Sequence, residues 1–352
     1  MEPKAYAERA LVRRFPDLGE RIPWVHLCDL PTSVTRVEKL EAEAGTGPLF
    51  VKHDDRTATL YGGNKARKLE WLLGHARARG LERVVTFGGL GTNHGLATAL
   101  YSGCLGLACD LVLVDQPVDE KVLRRIRELV AAGATLHYGR TVAGAAILAL
   151  GILARHPRSA IIPTGGSSPR GALGFVDAGL ELAEQVGQGD LPEPERVYLA
   201  LGTGGSAAGL ALGLALGGLR TRVVGVLVTD LLPPDTRALH RLARRTGRLL
   251  ARAGAPIGPL ELDLEIEVGY AGPGYGHRTL RGGTAIDLAE RLEELRLDGT
   301  YTGKALGALL RRERDQSSVV LFWNTLAAGV PELPLPGVEA LPHRLRRLFP
   351  EP

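Results

Sequence analysis

The sequence predicts an α/β protein of two lobes, each an open, mostly parallel sheet flanked by helices. Three observations carry this. Short apolar runs alternate with amphipathic helical stretches from residue 48 onward, the spacing of βαβ units. The alternation falls into two series, one ending near residue 163 and one beginning near residue 196. Glycine is abundant, 46 of 352 residues, and its clusters fall where strands run into helices, while a hydrophobic content of 45% can fill the cores of two domains.

In chain order, the first series places strands over 49–53, 83–87, 110–114, 135–138 and 160–163, with helices over 64–79, 93–103, 118–132 and 141–155. The second has a strand over 196–201, a helix over 205–217, a strand over 223–228 and a helix over 235–253. Helices over 281–295 and 303–313 and a strand over 318–322 follow, and the proline-rich run 331–336 leads into a surface tail. In such sheets ligands bind beyond the carboxyl ends of the strands, at the helix N-termini.

Composition narrows the class further. Lys and Arg total 43 against 39 Asp and Glu, a net charge of +4. The basic clusters at 241–248 and 344–347 read as solvated helix faces, so no nucleic-acid partner is expected. Cys28, Cys104 and Cys109 show no metal or disulfide spacing, which points to a reducing compartment without a metal site. The charged N-terminus lacks a signal-peptide core, and no apolar run reaches the roughly 18 residues of a membrane span. A cytoplasmic location is expected.

The most informative stretch is Gly62-Gly63-Asn64-Lys65-Ala66-Arg67-Lys68-Leu69. Two glycines end an extended segment, Asn64 reads as an N-cap, and Lys65 falls in the first helical turn. Unpaired N–H groups there carry partial positive charge, which lowers a lysine pKa and favours the neutral amine that forms a Schiff base.

Five further segments bear on the site. Gly88 to Gly95, with Thr92, Asn93 and His94, joins a strand to a helix and offers backbone N–H groups to a carboxylate. Gly202-Thr203-Gly204-Gly205-Ser206 is a second such turn, suited to a phosphate; it also meets a loose dinucleotide pattern, Gly202-x-Gly204-x-x-Ala207 with Asp230 after the next strand. Gly165 and Gly166 open a third turn into a helix. Tyr275 and Tyr301 lie in glycine-flanked loops, where a phenol can donate a proton or orient a substrate, and Thr325 offers a neutral hydroxyl at a strand end.

A Schiff-base lysine, a phosphate turn and a strand-end hydroxyl together suggest pyridoxal 5'-phosphate. The runs 62–70, 92–94, 164–174, 202–206 and 301–304 appear in register with, and resemble, the D-cysteine desulfhydrase / 1-aminocyclopropane-1-carboxylate (ACC) deaminase family of fold type II, tryptophan-synthase-β-like pyridoxal-phosphate enzymes. The resemblance spans roughly residues 20–330. It implies Lys65 as Schiff-base lysine and α-proton base, and the amides of Gly202, Thr203, Gly204, Gly205 and Ser206 as the phosphate site. It implies Asn93 near the cofactor hydroxyl, Thr92, Asn93 and His94 on the substrate carboxylate, Tyr275 and Tyr301 flanking the substrate, and Thr325 at the pyridine nitrogen. A cofactor domain over 1–60 and 175–352, a small domain over 61–174 and a homodimer are expected.

Three departures bear on the substrate. Thr92 stands where the family usually has serine, and Thr302 where ACC deaminases carry glutamate. The family's His-Thr-Gly-Gly reads Asn324-Thr325-Leu326-Ala327. The expected reaction is α,β-elimination on a small, D-cysteine-like amino acid, giving a 2-oxo acid and ammonia. ACC deamination, an NAD-dependent oxidoreductase built on Gly202–Ala207, and a non-catalytic amino-acid- or cofactor-binding relative stand beside it.

Overall fold

Period-two alternation builds the larger sheet. In the strand Val320–Trp323, Val320 and Phe322 enter one buried cluster, and Leu321 and Trp323 enter the other. Tyr198 parts from Val197, Leu199 and Leu201 in the same way, so this sheet is apolar on both faces, as an internal parallel sheet must be. The computed structural model describes residues 9–231, 233–329 and 331–349.

Among the described residues the strands are β1 (Val34–Arg36), β2 (Leu49–Lys52), β3 (Arg83–Gly89), β4 (Ala108–Val114), β5 (Ala134–Arg140), β6 (Ser159–Ile162), β7 (Arg196–Leu201), β8 (Arg222–Leu227), β9 (Leu264–Glu267) and β10 (Val320–Trp323). They form a six-stranded sheet, β1-β2-β10-β7-β8-β9, and a four-stranded sheet, β5-β4-β3-β6. Every pairing is parallel except β1 with β2. The chain divides into two units: residues up to Trp71 with Ser167–Gly329, and Leu72–Gly166 with the tail after Gly329. The expected boundaries were at 60 and 174.

In the larger unit, helices Leu280–Glu293 and Thr302–Arg312 supply one face of the six-stranded sheet, through Ala285, Ala289, Ala305 and Leu309. Helices Pro169–Gln188 and Gly205–Leu216 supply the other, through Phe175, Leu182, Leu210 and Leu214. These two cross at backbone distance: a Cβ on Gly209 would lie 2.3 Å from the Ala172 carbonyl, and one on Gly213 2.3 Å from that of Val176. In the smaller unit, Ala145, Ala149 and Ile152 of helix Val142–Arg155 pack on Val85 and Val112.

A buried ion network ties the helix Asn64–Ala78 to the larger unit. Arg67 bonds Asp54 at 2.8 and 2.9 Å and Glu181 at 2.9 Å, and Lys52 donates to Glu181 at 2.6 Å. Burial pushes the Glu181 carboxyl up, but Arg67 and Lys52 outweigh it and hold it below the usual carboxylate range.

β1 and β9 were not expected from sequence. Both are short edge strands whose residues are mostly half-buried or exposed, so neither shows the apolar run that marks an interior strand.

Candidate active site

Lys65 opens the site. It is the second residue of the helix Asn64–Ala78, and Gly63, at φ 80°, supplies the left-handed residue before it. A Cβ on Gly63 would lie 2.9 Å from the Ala327 nitrogen and the Thr325 carbonyl, so glycine lets the turn after β10 pass against the helix start. Asn64 N–H donates to the Thr325 carbonyl at 3.2 Å, which fixes that contact.

The sequence marks Asn64 as an N-cap, but it is the first helical residue and its side chain serves a different end. Its Oδ1 accepts from Lys65 Nζ at 2.7 Å, and its Nδ2 donates to Ser206 Oγ at 3.2 Å. Asn64 thus links the lysine amine to the turn Gly202–Ser206. Burial pushes the Lys65 amine down to about 8, with Asp298 acting in the opposite direction. Burial is the dominant cause, where the sequence argument invokes the helix-start field. Lys68, one turn on, is buried beside the Phe175 ring and is pushed well below its usual range by burial and by Lys65.

The turn Gly202–Ser206 joins β7 to the helix Gly205–Leu216. Its N-cap is Gly204, at φ 88°, which has no side chain to cap with. Ser167 Oγ accepts from Gly205 N–H at 3.0 Å and bonds Thr203 Oγ1 at 2.6 Å. The N–H groups of Ser206 and Ala207, in the first turn, have no capping side chain from Gly204 and point out along the helix axis.

Gly202 faces the tyrosines: a Cβ there would lie 3.7 Å from Tyr301 Cε1. The Tyr275 and Tyr301 phenols are hydrogen-bonded at 2.6 Å, with rings edge to face. Burial pushes both phenols up, so both carry their protons at neutral pH. Lys65, Ser206, Gly202, both tyrosines and the Thr325 turn are therefore brought together within the larger unit.

Thr92, Asn93 and His94 lie in the smaller unit, where β3 runs into helix Asn93–Cys104. Thr92 is the N-cap, its Oγ1 accepting from Gly95 N–H at 3.1 Å. Fewer backbone donors are available than the glycines suggest. Gly91 N–H goes to Gln116 Oε1 at 3.0 Å, and Thr92 N–H to the Gly89 carbonyl at 3.1 Å. His94 is buried, with Nε2 2.9 Å from Thr86 Oγ1. The single Thr86 hydroxyl proton goes to the Ile162 carbonyl at 2.9 Å, so His94 Nε2 is the donor in that pair. Among the described residues no group of three or more His, Cys, Asp or Glu side chains is placed to hold a metal, and no helix is long and apolar enough to cross a membrane.

Sequence reasoning missed Asn64 as a linking side chain, Ser167 and Asp298. Ser167 lay inside the recognised run 164–174, but its partner is 36 residues away. Asp298 holds the N–H groups of Thr300, Tyr301 and Thr302, a capping role its place just before Tyr301 could have suggested.

The site of this α/β protein sets a lysine amine of lowered pKa, through Asn64, against a helix start whose N-cap glycine offers no side chain. A model of the pyridoxal-phosphate-dependent enzyme family matches residues 25–325, and the chain belongs to that family. Nocardicin C-9' epimerase of Nocardia uniformis subsp. tsuyamanensis is 35% identical over 313 residues, 86% of this chain and 92% of the relative. D-cysteine desulfhydrase of Klebsiella pneumoniae subsp. pneumoniae is 31% identical over 331 residues, 89% and 96%. A solved ACC deaminase homologue has a TM-score of 0.77 at 28% identity, covering 93% of this chain and 95% of its own. A threonine deaminase isoform from Solanum lycopersicum, TM-score 0.63 at 16% identity, covering 96% of this chain and 88% of its own, shares the fold. The fold is fold type II, as the sequence resemblance implied.

The residues present fit pyridoxal phosphate. A carbonyl-reactive amine and a helix start open to a dianion are what the cofactor needs, and Asn64 joins the two. The dinucleotide reading of Gly202–Ala207 falls away with the family match. Asp230, its ribose candidate, accepts instead from Tyr275 N–H at 2.8 Å.

Proposed function

We propose that this enzyme is a lyase/deaminase that carries out α,β-elimination on a small, D-cysteine-like amino acid. With D-cysteine the balance is one water consumed and one 2-oxo acid, one ammonia and one sulfide released. The observation that carries the reading is the chain Lys65–Asn64–Ser206, which joins an amine depressed to about 8 to the anion-binding helix start.

When bound, the cofactor supplies an electron sink for the pair left at the α-carbon. Lys65 would hold the cofactor covalently, and its Nζ would serve as the base that takes the α-proton. The N–H groups of the turn 202–206, with the Thr203 and Ser206 hydroxyls, hold the phosphate. Thr325 Oγ1 serves the pyridine nitrogen as a neutral partner, which favours elimination over transamination. Thr92, Asn93 and His94 bind the substrate carboxylate, and Asn93 adds a contact to the cofactor hydroxyl. The tyrosine pair flanks the substrate and keeps a proton at the Tyr301 or Tyr275 Oη for the leaving group. The D-cysteine desulfhydrase relative, matched along 96% of its length, supports this substrate class.

The test compares 2-oxo acid release from D-cysteine and β-chloro-D-alanine with 2-oxobutanoate release from ACC. Release from the first two is expected. Activity on ACC alone would move the assignment to ring opening, against the argument from Thr302, whose hydroxyl is engaged with Asp298 at 2.7 Å.

A second reading is epimerisation, favoured by the 35% identity to nocardicin C-9' epimerase. It shares α-proton removal by Lys65 and returns a proton to the opposite face, for which the paired, protonated phenols are candidates. Exchange of the α-hydrogen with solvent deuterium, with inversion and without 2-oxo acid, would identify it.

A cytoplasmic homodimer completes the proposal. The three cysteines are free thiols, and helix Val142–Arg155 exposes Val142, Ile147 and Leu150 as an apolar face. Sedimentation should show a dimer that Ile147→Asp with Leu150→Asp shifts to monomer. Monomer behaviour of the unmodified protein would remove the dimer from the proposal.

A further inference from the structure

The motif Tyr301-Thr302-Gly303-Lys304 contains a lysine that the proposed chemistry does not use. Lys304 is fully buried in the helix Thr302–Arg312. It donates to the Ala271 carbonyl at 2.7 Å, a bond spanning 33 residues to the root of the loop that carries Tyr275. The helix that begins just after Tyr301 is thereby tied to the loop bearing the other tyrosine.

Each tyrosine also has its own aspartate. Asp298 accepts from Tyr301 N–H at 3.2 Å and Thr302 N–H at 2.8 Å, and from the Thr302 hydroxyl. Asp230, just past β8, accepts from Tyr275 N–H at 2.8 Å, and a Cβ on Gly274 would lie 3.0 Å from its Oδ2. Gly274, at φ 149°, holds a backbone conformation that favours glycine where the loop closes on the carboxylate. Both carboxylates raise the Lys304 pKa against the lowering by burial, so this buried cation is within electrostatic reach of the two anions that hold the two loops.

We propose that Asp230, Asp298 and Lys304 are positioning residues: together they hold the two tyrosine loops in the register that places the Tyr275 and Tyr301 phenols 2.6 Å apart. The inference rests on the reading that the tyrosines flank the substrate. None of the three needs to touch substrate or cofactor; each acts through backbone atoms of the tyrosine loops. The arrangement lets one phenol hand its proton on while the other replaces it, a relay that fails when the pair drifts apart by about an ångström.

The test uses full-length holoenzyme and variants Asp230→Ala, Asp230→Asn and Lys304→Met. The primary readout is amide hydrogen exchange over 270–277, which does not depend on turnover. Asp230→Ala should speed exchange at Tyr275 by at least about tenfold and lower kcat by about tenfold, with KM and the cofactor's visible spectrum little changed. Asp230→Asn keeps an acceptor oxygen and should restore both. Lys304→Met should loosen the same segment; because it leaves a buried site and can impair folding, the exposed Asp230 carries the decision. Unchanged exchange in Asp230→Ala overturns the proposal. So does faster exchange with unchanged kcat while Tyr301→Phe lowers turnover. If Tyr301→Phe and Tyr275→Phe are both silent, the reading of the tyrosines fails instead, and the unaltered exchange pattern of those variants tells the two failures apart.

Discussion

Two glycine turns in this protein look alike in sequence and are finished differently. Both run from a parallel strand into a helix, β7 into Gly205–Leu216 and β3 into Asn93–Cys104. At the first the N-cap is Gly204, which caps nothing. At the second it is Thr92, which caps Gly95, while Gln116 takes Gly91 N–H. At the first, Ser167 takes Gly205 N–H, but Gly204 supplies no cap for the N–H groups of Ser206 and Ala207, the arrangement that a phosphate dianion would use. The second has satisfied much of its own through Thr92 and Gln116. The capping residue, more than the glycine count, is what distinguishes the two turns, and the proposed roles of cofactor turn and substrate turn rest on that difference.

Predictions that break or sharpen this contrast begin with Lys65, whose amine is linked through Asn64 to the first turn. Lys65→Ala should abolish borohydride-fixed cofactor and reduce turnover by several orders of magnitude. Lys68→Ala should retain the fixed cofactor, since Lys68 lies one turn deeper. The opposite pattern would detach the active lysine from the cofactor turn.

The next largest effect is on pH. Only a neutral amine adds to a carbonyl, so with Lys65 in its proposed role cofactor capture by apoenzyme should quicken as pH rises toward about 8 and level off above it. Because Asp298 raises this pKa, Asp298→Asn should move the midpoint lower. Stability carries the same sign. Lys65 has its pKa depressed from 10.5 to about 8, so the unfolded chain holds more protons between those values and its contribution to stability improves as pH rises through that window. A midpoint that stays near 10.5 would show the amine is not buried as described.

Smaller again is the first turn itself. Ser206→Ala removes the Asn64 bond and a phosphate donor and should weaken cofactor affinity about tenfold, with substrate KM nearly unchanged. Gly204→Val is a poor probe, because its Cβ would lie 2.4 Å from Leu239 Cδ2 and would distort the turn rather than meet the phosphate directly. Smallest is the second turn. Thr92→Ala should cost about 1 kcal/mol of stability through the lost cap, measured by denaturant unfolding, and raise KM without altering cofactor affinity. If Ser206→Ala raised KM and Thr92→Ala weakened the cofactor, the two turns would have to exchange roles.

What the sequence by itself determined here is local. The alternation of strands and helices and the glycine turns were legible because period, glycine placement and capping chemistry act over a few residues. Lys65 stood out for the same reason: it follows two glycines at a helix start. Only the tertiary structure decided the partners. Asn64 meets Ser206 across 142 positions, Asp230 meets Tyr275 across 45, and Lys304 meets Ala271 across 33. Such pairs are chosen by strand order and helix crossings, which place β10 between β2 and β7 and bring residues 63 and 325 to one turn. The depressed Lys65 amine shows the division most plainly. Its place at a helix start was written in eight residues, but the burial that lowers it comes from segments the chain delivers more than a hundred residues later.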